Sequence, residues 1–451
     1  MANITAKNYL PCALTSNDIQ NNTDTNIQND TARVYTVYPR RFAVLIIFCI
    51  CSLSSGFQWI QYVIIQNIIV RYYNESLPGD YDTKNNAVTW TSLSYMVTYI
   101  PLMFPAMWLL DRYGMKITCS TGAFLNSLGA FIKCFSVGTN HWWIAFSGQM
   151  ICACAQSFTL GIPPYLAASW FSSNSVSTVT AIAVFGNQAI KMLCFLKVFQ
   201  RLPPTPPSRA QEIALQSSEQ NYVHTLKRLL TNRWFLLLLL SYGLNTGTFY
   251  SISTLLNPIY MWYFDKKTDQ ASTYAGTIGM LLVIGGIFGS LLGGYILDKT
   301  KAYKTVTFGV YVLSFLSMVL FISTISLHQY VAFVTMTIVG FFMTGYLPVG
   351  FEYGVEITYP ENEAISSSLL NVSAQIFGLC ITQLQEYLIF KKNKIFGSNI
   401  MLCGALIAGT IITMLIRSPL RRQSVQHNVN VLINANNSTT VVSNTDSTIN
   451  T

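Results

Sequence analysis

The chain has 451 residues, 51% of them apolar and only 10% charged, and its mean hydropathy is positive, which excludes an ordinary water-soluble domain. Its net charge of +9 does not point to nucleic acid, because the basic residues sit between apolar runs rather than on one polar face. The composition is that of an all-α protein that crosses a membrane many times.

Residues 1–37 are polar and rich in Asn and Thr, which predicts a disordered cytosolic tail. They lack the charged start, short apolar core and small-residue cleavage site of a leader, so the first span is expected to act as the insertion signal. Apolar runs long enough to cross a hydrocarbon core, about 20 residues each, then follow. They lie near 42–66, 89–110, 117–137, 142–168, 177–199, 233–256, 274–297, 305–326, 329–350, 364–390 and 397–416, giving ten to eleven crossings. Residues 423–451 are again polar and are expected to form a disordered cytosolic tail.

Lys and Arg in short loops set the orientation. Arg33, Arg40 and Arg41 place the N-terminus in the cytosol, and the loops "LLDRYGMK" and "ILDKTKAYK" belong on the same side. So does the basic linker 201–232, which contains "PPTPPSRAQ" and separates an N-terminal bundle, 38–200, from a C-terminal bundle, 233–422. The two loops repeat one element, a span ending in Leu-Leu-Asp or Ile-Leu-Asp before a basic turn. A parallel repeat of this kind places a substrate site between the halves near the midplane.

The count of crossings then fails on parity. Two cytosolic loops need an even number of spans between them, but only five runs lie between Lys116 and Asp298. The segment 181–200, with Lys191 and Lys197, is the suspect: either it does not span, or one helix has been lost there.

Polar residues inside the apolar runs restrict the substrate. Helical spacing puts Ser55, Trp59, Tyr62 and Gln66 on one stripe of the first span, and Gln149, Cys152 and Gln156 on one stripe of the fourth. Asn245, Phe249 and Tyr250 share the run 233–256 with Thr246, and Asn371 and Gln375 lie one turn apart in the run 364–390. Amides and aromatic rings recur, without carboxylates or bases at mid-depth. A neutral cavity of this kind holds an ammonium by cation–π attraction, worth about 0.5 to 2 kcal/mol per contact, while Gln orients a hydroxyl. Spacing does not choose between Gln149 and Gln156. Taken singly, each of these residues is more often packing or an interhelix tie.

The ten cysteines are nearly all inside spans and read as lipophilic packing, and the four histidines have no ligand spacing. No metal or cofactor is expected. Gly-rich phosphate loops and nucleophile elbows are missing too, so the chain is not expected to be an enzyme.

Several blocks resemble the feline leukemia virus subgroup C receptor-related proteins of the major facilitator superfamily. They include "FQWIQYVII", "SYMVTYIPLMFPAMWLLD", "VSTVTAIAVFGNQ", "PPSRAQ", "SYGLNTGTFYSISTLLN" and "GFFMTGYLPVGFEYGVEITYPENEAISSSLLNVSAQIFG", over about 38–188 and 202–422. The resemblance implies a two-bundle, twelve-helix transporter fold from which late helix 5 and helix 6 have been lost near residues 189–202. It implies transport of choline or ethanolamine by alternating access and facilitated diffusion, with haem or porphyrin export as an alternative. A truncated, non-transporting, receptor-like isoform is the third reading.

By the same resemblance, Trp59, Gln156, Tyr250 and Gln375 bind substrate, with Met96 and Phe249 nearby. Pro164 and Tyr165 stand where the family usually has a Ser and a basic residue. The expected partners are a small-molecule substrate and the lipid bilayer, with no nucleic acid, in a monomer at the plasma membrane. Asn74, in "NESL" of the first external loop, is the candidate glycosylation acceptor. Glu352 and Glu356 are expected to serve gating or pairing with the basic loops at the inner end of the tenth span.

Overall fold

The computed structural model describes residues 38–172, 175–185, 222–264, 269–417 and 422–423. Both expected tails, the junction 189–202 and the first part of the linker lie outside those residues.

The first bundle contains α1 (Arg40–Ile60), α2 (Gln66–Tyr72), α3 (Tyr81–Tyr113), α4 (Met115–Lys133), α5 (Trp142–Gln156), α6 (Pro163–Trp170) and α7 (Val176–Phe185). After the amphipathic linker helix α8 (Tyr222–Thr231) come α9 (Arg233–Thr254), α10 (Leu256–Tyr263), α11 (Asp269–Thr300), α12 (Tyr303–Thr324), α13 (Gln329–Thr358), α14 (Glu363–Glu386) and α15 (Ile395–Leu415). No strand occurs among the described residues. Local chemistry sets many ends: Asp80 accepts from Thr83 N at the start of α3, Asn232 accepts at α9 and Asn362 at α14. The Thr83 hydroxyl and amide hold the exposed Asp80 carboxyl below its usual range. Gly114, at φ 81°, makes the left-handed turn that separates α3 from α4 in the first basic loop.

Among the described residues, eight helices are long and apolar enough to cross a membrane by themselves. The other three expected crossings take different forms. Helix α4 has 19 residues and carries Lys116, Asn126 and Lys133; α5 and α6 share one crossing interrupted at 157–162; α7 is described for 10 residues. Ten residues rise about 15 Å, half of a hydrocarbon core of about 30 Å.

The bundles meet along α3 with α14 and α7 with α11. At the end that carries the basic loops the Asp298 carboxylate accepts from Ser177 N (3.1 Å) and Thr178 N (2.7 Å) at the start of α7, where the helix dipole favours an anion. Thr180 Oγ1 donates to Glu352 Oε1 at 2.5 Å, and Ser367 Oγ donates to Gly161 O at 2.8 Å. On the outer side Asn257 Nδ2 donates to Ile64 O at 2.8 Å, and Ser92 and Thr254 hydroxyls pair at 3.1 Å. The two bundles are thus tied to each other at both ends among the described residues.

Asn74 is exposed in the loop between α2 and α3, where its Oδ1 accepts from Lys84 Nζ at 2.7 Å. Asn74→Gln is expected to remove one glycan-sized step from the electrophoretic mobility of the protein expressed in animal cells. Enzymatic deglycosylation of the unmutated chain should give the same mobility; no mobility change in either would remove the assignment.

Candidate substrate site

Three of the inner crossings are broken: 61–65 between α1 and α2, 157–162 between α5 and α6, and Leu255 between α9 and α10. Broken helices expose backbone polar groups that hydrocarbon cannot satisfy, so they occur where protein or a cavity takes them up. Between them lies a cavity of about 210 Å³ lined by Trp59, Gln156, Tyr242, Phe249, Tyr250 and Asn371, with apolar residues from α7, α11 and α13.

The Trp59 and Tyr250 rings, one from each bundle, meet edge to face with centroids 4.8 Å apart and an interplanar angle of 88°. Tyr95 tilts against the other side of Trp59 at 6.3 Å, and the Trp59 indole N–H donates to Ser92 O at 3.2 Å. That hydrogen bond uses up the indole's one polar group and fixes the ring.

A close approach of α9 and α14 sets Tyr250: a Cβ on Gly247 would lie 2.7 Å from Gly378 N, so glycine lets the two backbones touch. Gln156 is buried, and its Oε1 has no hydrogen-bond partner in the structure. A buried amide oxygen left open beside a cavity is an acceptor ready for a ligand.

The six residues assigned by resemblance are brought into one region but not one layer. Trp59, Gln156, Phe249 and Tyr250 line the cavity. Gln375 and Met96 stand behind it. Gln375 is buried one turn beyond the lining residue Asn371, with Oε1 unpartnered, and Met96 Sδ and Tyr250 Cδ2 would each lie 3.2 Å from a Cβ on Gly378.

The comparisons with known proteins agree with this architecture. A model of the Major Facilitator Superfamily matches residues 189–382. Choline/ethanolamine transporter flvcr2a of Danio rerio is 41% identical, covering 91% of this chain and 94% of that protein. Choline/ethanolamine transporter FLVCR1 of Felis catus is 43% identical over 87% of this chain and 74% of its own length. The chain belongs to the feline leukemia virus subgroup C receptor-related (FLVCR) family.

The flvcr2a alignment runs over 454 positions while taking in 91% of this chain, so that FLVCR relative carries internal positions with no counterpart here. Among solved structures, the fucose:proton symporter FucP of E. coli in its outward conformation superposes with a TM-score of 0.60 at 14% identity, covering 84% of this chain and 100% of FucP. The xylose symporter XylE gives 0.61 at 10% identity over 85% and 98%. These two establish the fold alone.

The stripe expected on the first span of this FLVCR chain is corrected by the break at 61–65. Trp59 faces the cavity, but Tyr62 packs edge to face on Trp142 at 6.4 Å, and Gln66 donates to Asn85 O at 3.0 Å inside the first bundle. A continuous 3.6-residue period does not survive a helix break.

Nearer the helix ends, away from the mid-depth positions of that expectation, ionisable side chains do turn inward. Lys133 reaches in from the end of α4, and Glu386 is buried at the outer end of α14, beside Thr89 and Asn86 of α3. The signal for Glu386 was available, because an ionisable residue inside an apolar run is a functional candidate by default. Glu352 and Glu356 do meet basic chain, but beyond the last span: Arg422 lies 3.6 Å from Glu352, and Gln423 N donates to Glu356 at 2.9 Å.

Proposed function

We propose that this chain carries choline and ethanolamine across the plasma membrane by alternating access, as facilitated diffusion. Trp59 and Tyr250 cage the ammonium and Gln156 and Gln375 orient the hydroxyl end. The observation that carries the reading is the edge-to-face pair of Trp59 and Tyr250, contributed by opposite bundles to one small neutral cavity. A cation held against both rings attracts both bundles at once, which favours the occluded state when substrate is present.

Facilitated diffusion is supported by the make-up of the lining, which contains no Asp, Glu, Lys, Arg or His among the described residues. Among the described residues the buried glutamates lie toward the ends of the helices, Glu352 and Glu356 late in α13 and Glu363 and Glu386 at the two ends of α14. The size of the cavity favours choline over haem: about 210 Å³ falls below the roughly 300–1,000 Å³ of pockets for drug-sized molecules, and a porphyrin is larger still.

Radiolabelled choline uptake into cells expressing the chain, normalised to surface copies, tests the reading. Uptake should saturate, be competed by excess ethanolamine and be indifferent to haem. Competition by haem with none by ethanolamine would reverse the assignment.

A further inference from the structure

We infer that Gln149 and Lys133 are positioning residues for Trp59: they hold open the break in the first crossing and thereby set the ring that the proposed choline reading assigns to the ammonium. The geometry starts from two glycines. A Cβ on Gly129 would lie 2.6 Å from Gly148 O, and one on Gly148 would lie 2.7 Å from Gly129 O, so α4 and α5 pack backbone to backbone. That approach brings Lys133, at the end of α4, against Gln149 on α5.

Every polar group of Gln149 is then used. Its Oε1 accepts from Lys133 Nζ, and its Nε2 donates to Gln58 O (2.8 Å), Trp59 O (3.4 Å) and Thr91 O (3.3 Å). Gln58 and Trp59 are among the last four residues of α1, whose carbonyls have no acceptor role left inside the helix. With little water at this depth, such carbonyls need a protein donor. Gln149 supplies it at the residue that carries the ring.

Lys133 decides which way the Gln149 amide faces. An ammonium has donors only, so it turns Oε1 toward itself and Nε2 toward the α1 carbonyls. Its remaining contacts also converge on the break: Nζ donates to Gln58 Oε1 at 2.6 Å and lies 5.6 Å from the centre of the Tyr62 ring. Gln61 Nε2 donates to the same Gln58 Oε1 at 3.0 Å. The polar residues around Trp59 thus form one chain from α4 through α5 to the end of α1. Asn257 grips the same break from the second bundle through Ile64 O.

This separates the two glutamines of the fifth helix. Gln149 is saturated and points away from the cavity, whereas Gln156 lines it with an open oxygen.

The decisive variant is Gln149→Glu, which keeps the shape and the contact with Lys133 but removes the N–H donors to Gln58 O and Trp59 O. Two readouts on the full chain are needed. In lipid nanodiscs without substrate, hydrogen exchange of the amides in 60–66 should quicken about fivefold or more. In cells, the half-saturation concentration for choline should rise about tenfold while the maximal rate per surface copy stays within about twofold.

On a Trp59→Phe background the same substitution should shift half-saturation by less than about twofold, since its effect runs through the indole. Lys133→Arg, which retains donors, should behave as the unmutated chain, and Lys133→Met should follow Gln149→Glu. Unchanged exchange in Gln149→Glu overturns the inference whether or not choline is the substrate. Faster exchange with unchanged half-saturation, or an equal shift on the Trp59→Phe background, also overturns it. If the unmutated chain takes up no choline, the choline reading fails while the exchange experiment still decides the clamp.

Discussion

Trp59→Ala is expected to abolish saturable choline uptake while the protein still reaches the surface. The substitution removes the ring that Tyr250 meets edge to face at 4.8 Å and that Tyr95 backs at 6.3 Å. The ammonium loses a cation–π partner worth about 0.5 to 2 kcal/mol, with the higher end suited to a dry cavity. Tyr250 and Tyr95 lose their support at the same time, so the combined loss is about 2 to 3 kcal/mol, or roughly 30- to 150-fold in affinity. Uptake at low substrate should therefore fall to background.

Trp59→Phe should keep part of the function, because a smaller ring retains a π face at reduced strength. The measurement is radiolabelled choline uptake against concentration, normalised to biotinylated surface protein. Normal uptake by Trp59→Ala at normal surface level would remove the cage from the mechanism.

How far the site could be read without coordinates follows from the kind of signal each residue carries. Trp59, Tyr250 and the pair Gln149 and Gln156 stood out because an amide or a large polar aromatic inside an apolar run is anomalous in hydrocarbon, whereas the choice of Gln156 over Gln149 came from the resemblance alone. Tyr62 and Gln66 were misplaced because the stripe assumed a continuous helix. The break at 61–65 is held by partners distant in sequence, Gln149 and Asn257, and local pattern has no access to them.

Lys133 went unread for a different reason. At the end of an apolar run a lysine is expected to extend toward the headgroups, and only the Gly129–Gly148 approach turns it inward. For Glu352 and Glu356 the type of interaction was legible but the partner was not, since Arg422 follows the last span and its return under α13 is a tertiary fact. The fold itself was legible from the duplicated Asp-containing loops. Asp298 now has a physical role in that repeat, accepting from the first amides of α7 across the bundle interface.

Completing the fifth crossing and adding a returning helix between Gln188 and Pro203 is expected to raise total uptake about tenfold without changing half-saturation, because it repairs assembly and leaves the site alone. Helix α7 starts against Asp298, at Val176, and α9 starts at Arg233, both on the side of the basic loops, so a chain that leaves outward along α7 must return before α9. Segment 181–200 carries Lys191 and Lys197, and each lysine at the bilayer centre costs about 2.5 to 3.5 kcal/mol.

The face of α11 shows where the rest of the crossing belongs. Its inner part packs tightly on α7: a Cβ on Gly294 would lie 2.8 Å from Ala181 Cβ and 2.8 Å from Ser177 O. Gly276 lies five helical turns from Gly294 on the same face, yet among the described residues the nearest atom to a Cβ there is Ile64 Cγ2 at 3.9 Å. A small-residue face suited to close helix packing thus continues outward past the described end of α7. The corresponding segment of the zebrafish relative would supply the insert, about 30 to 40 residues for the remaining half-crossing, a loop and one full span. Surface biotinylation should rise with uptake, and uptake per surface copy should stay level. An insertion that leaves surface level and uptake unchanged would show that the chain already closes its first bundle by another route.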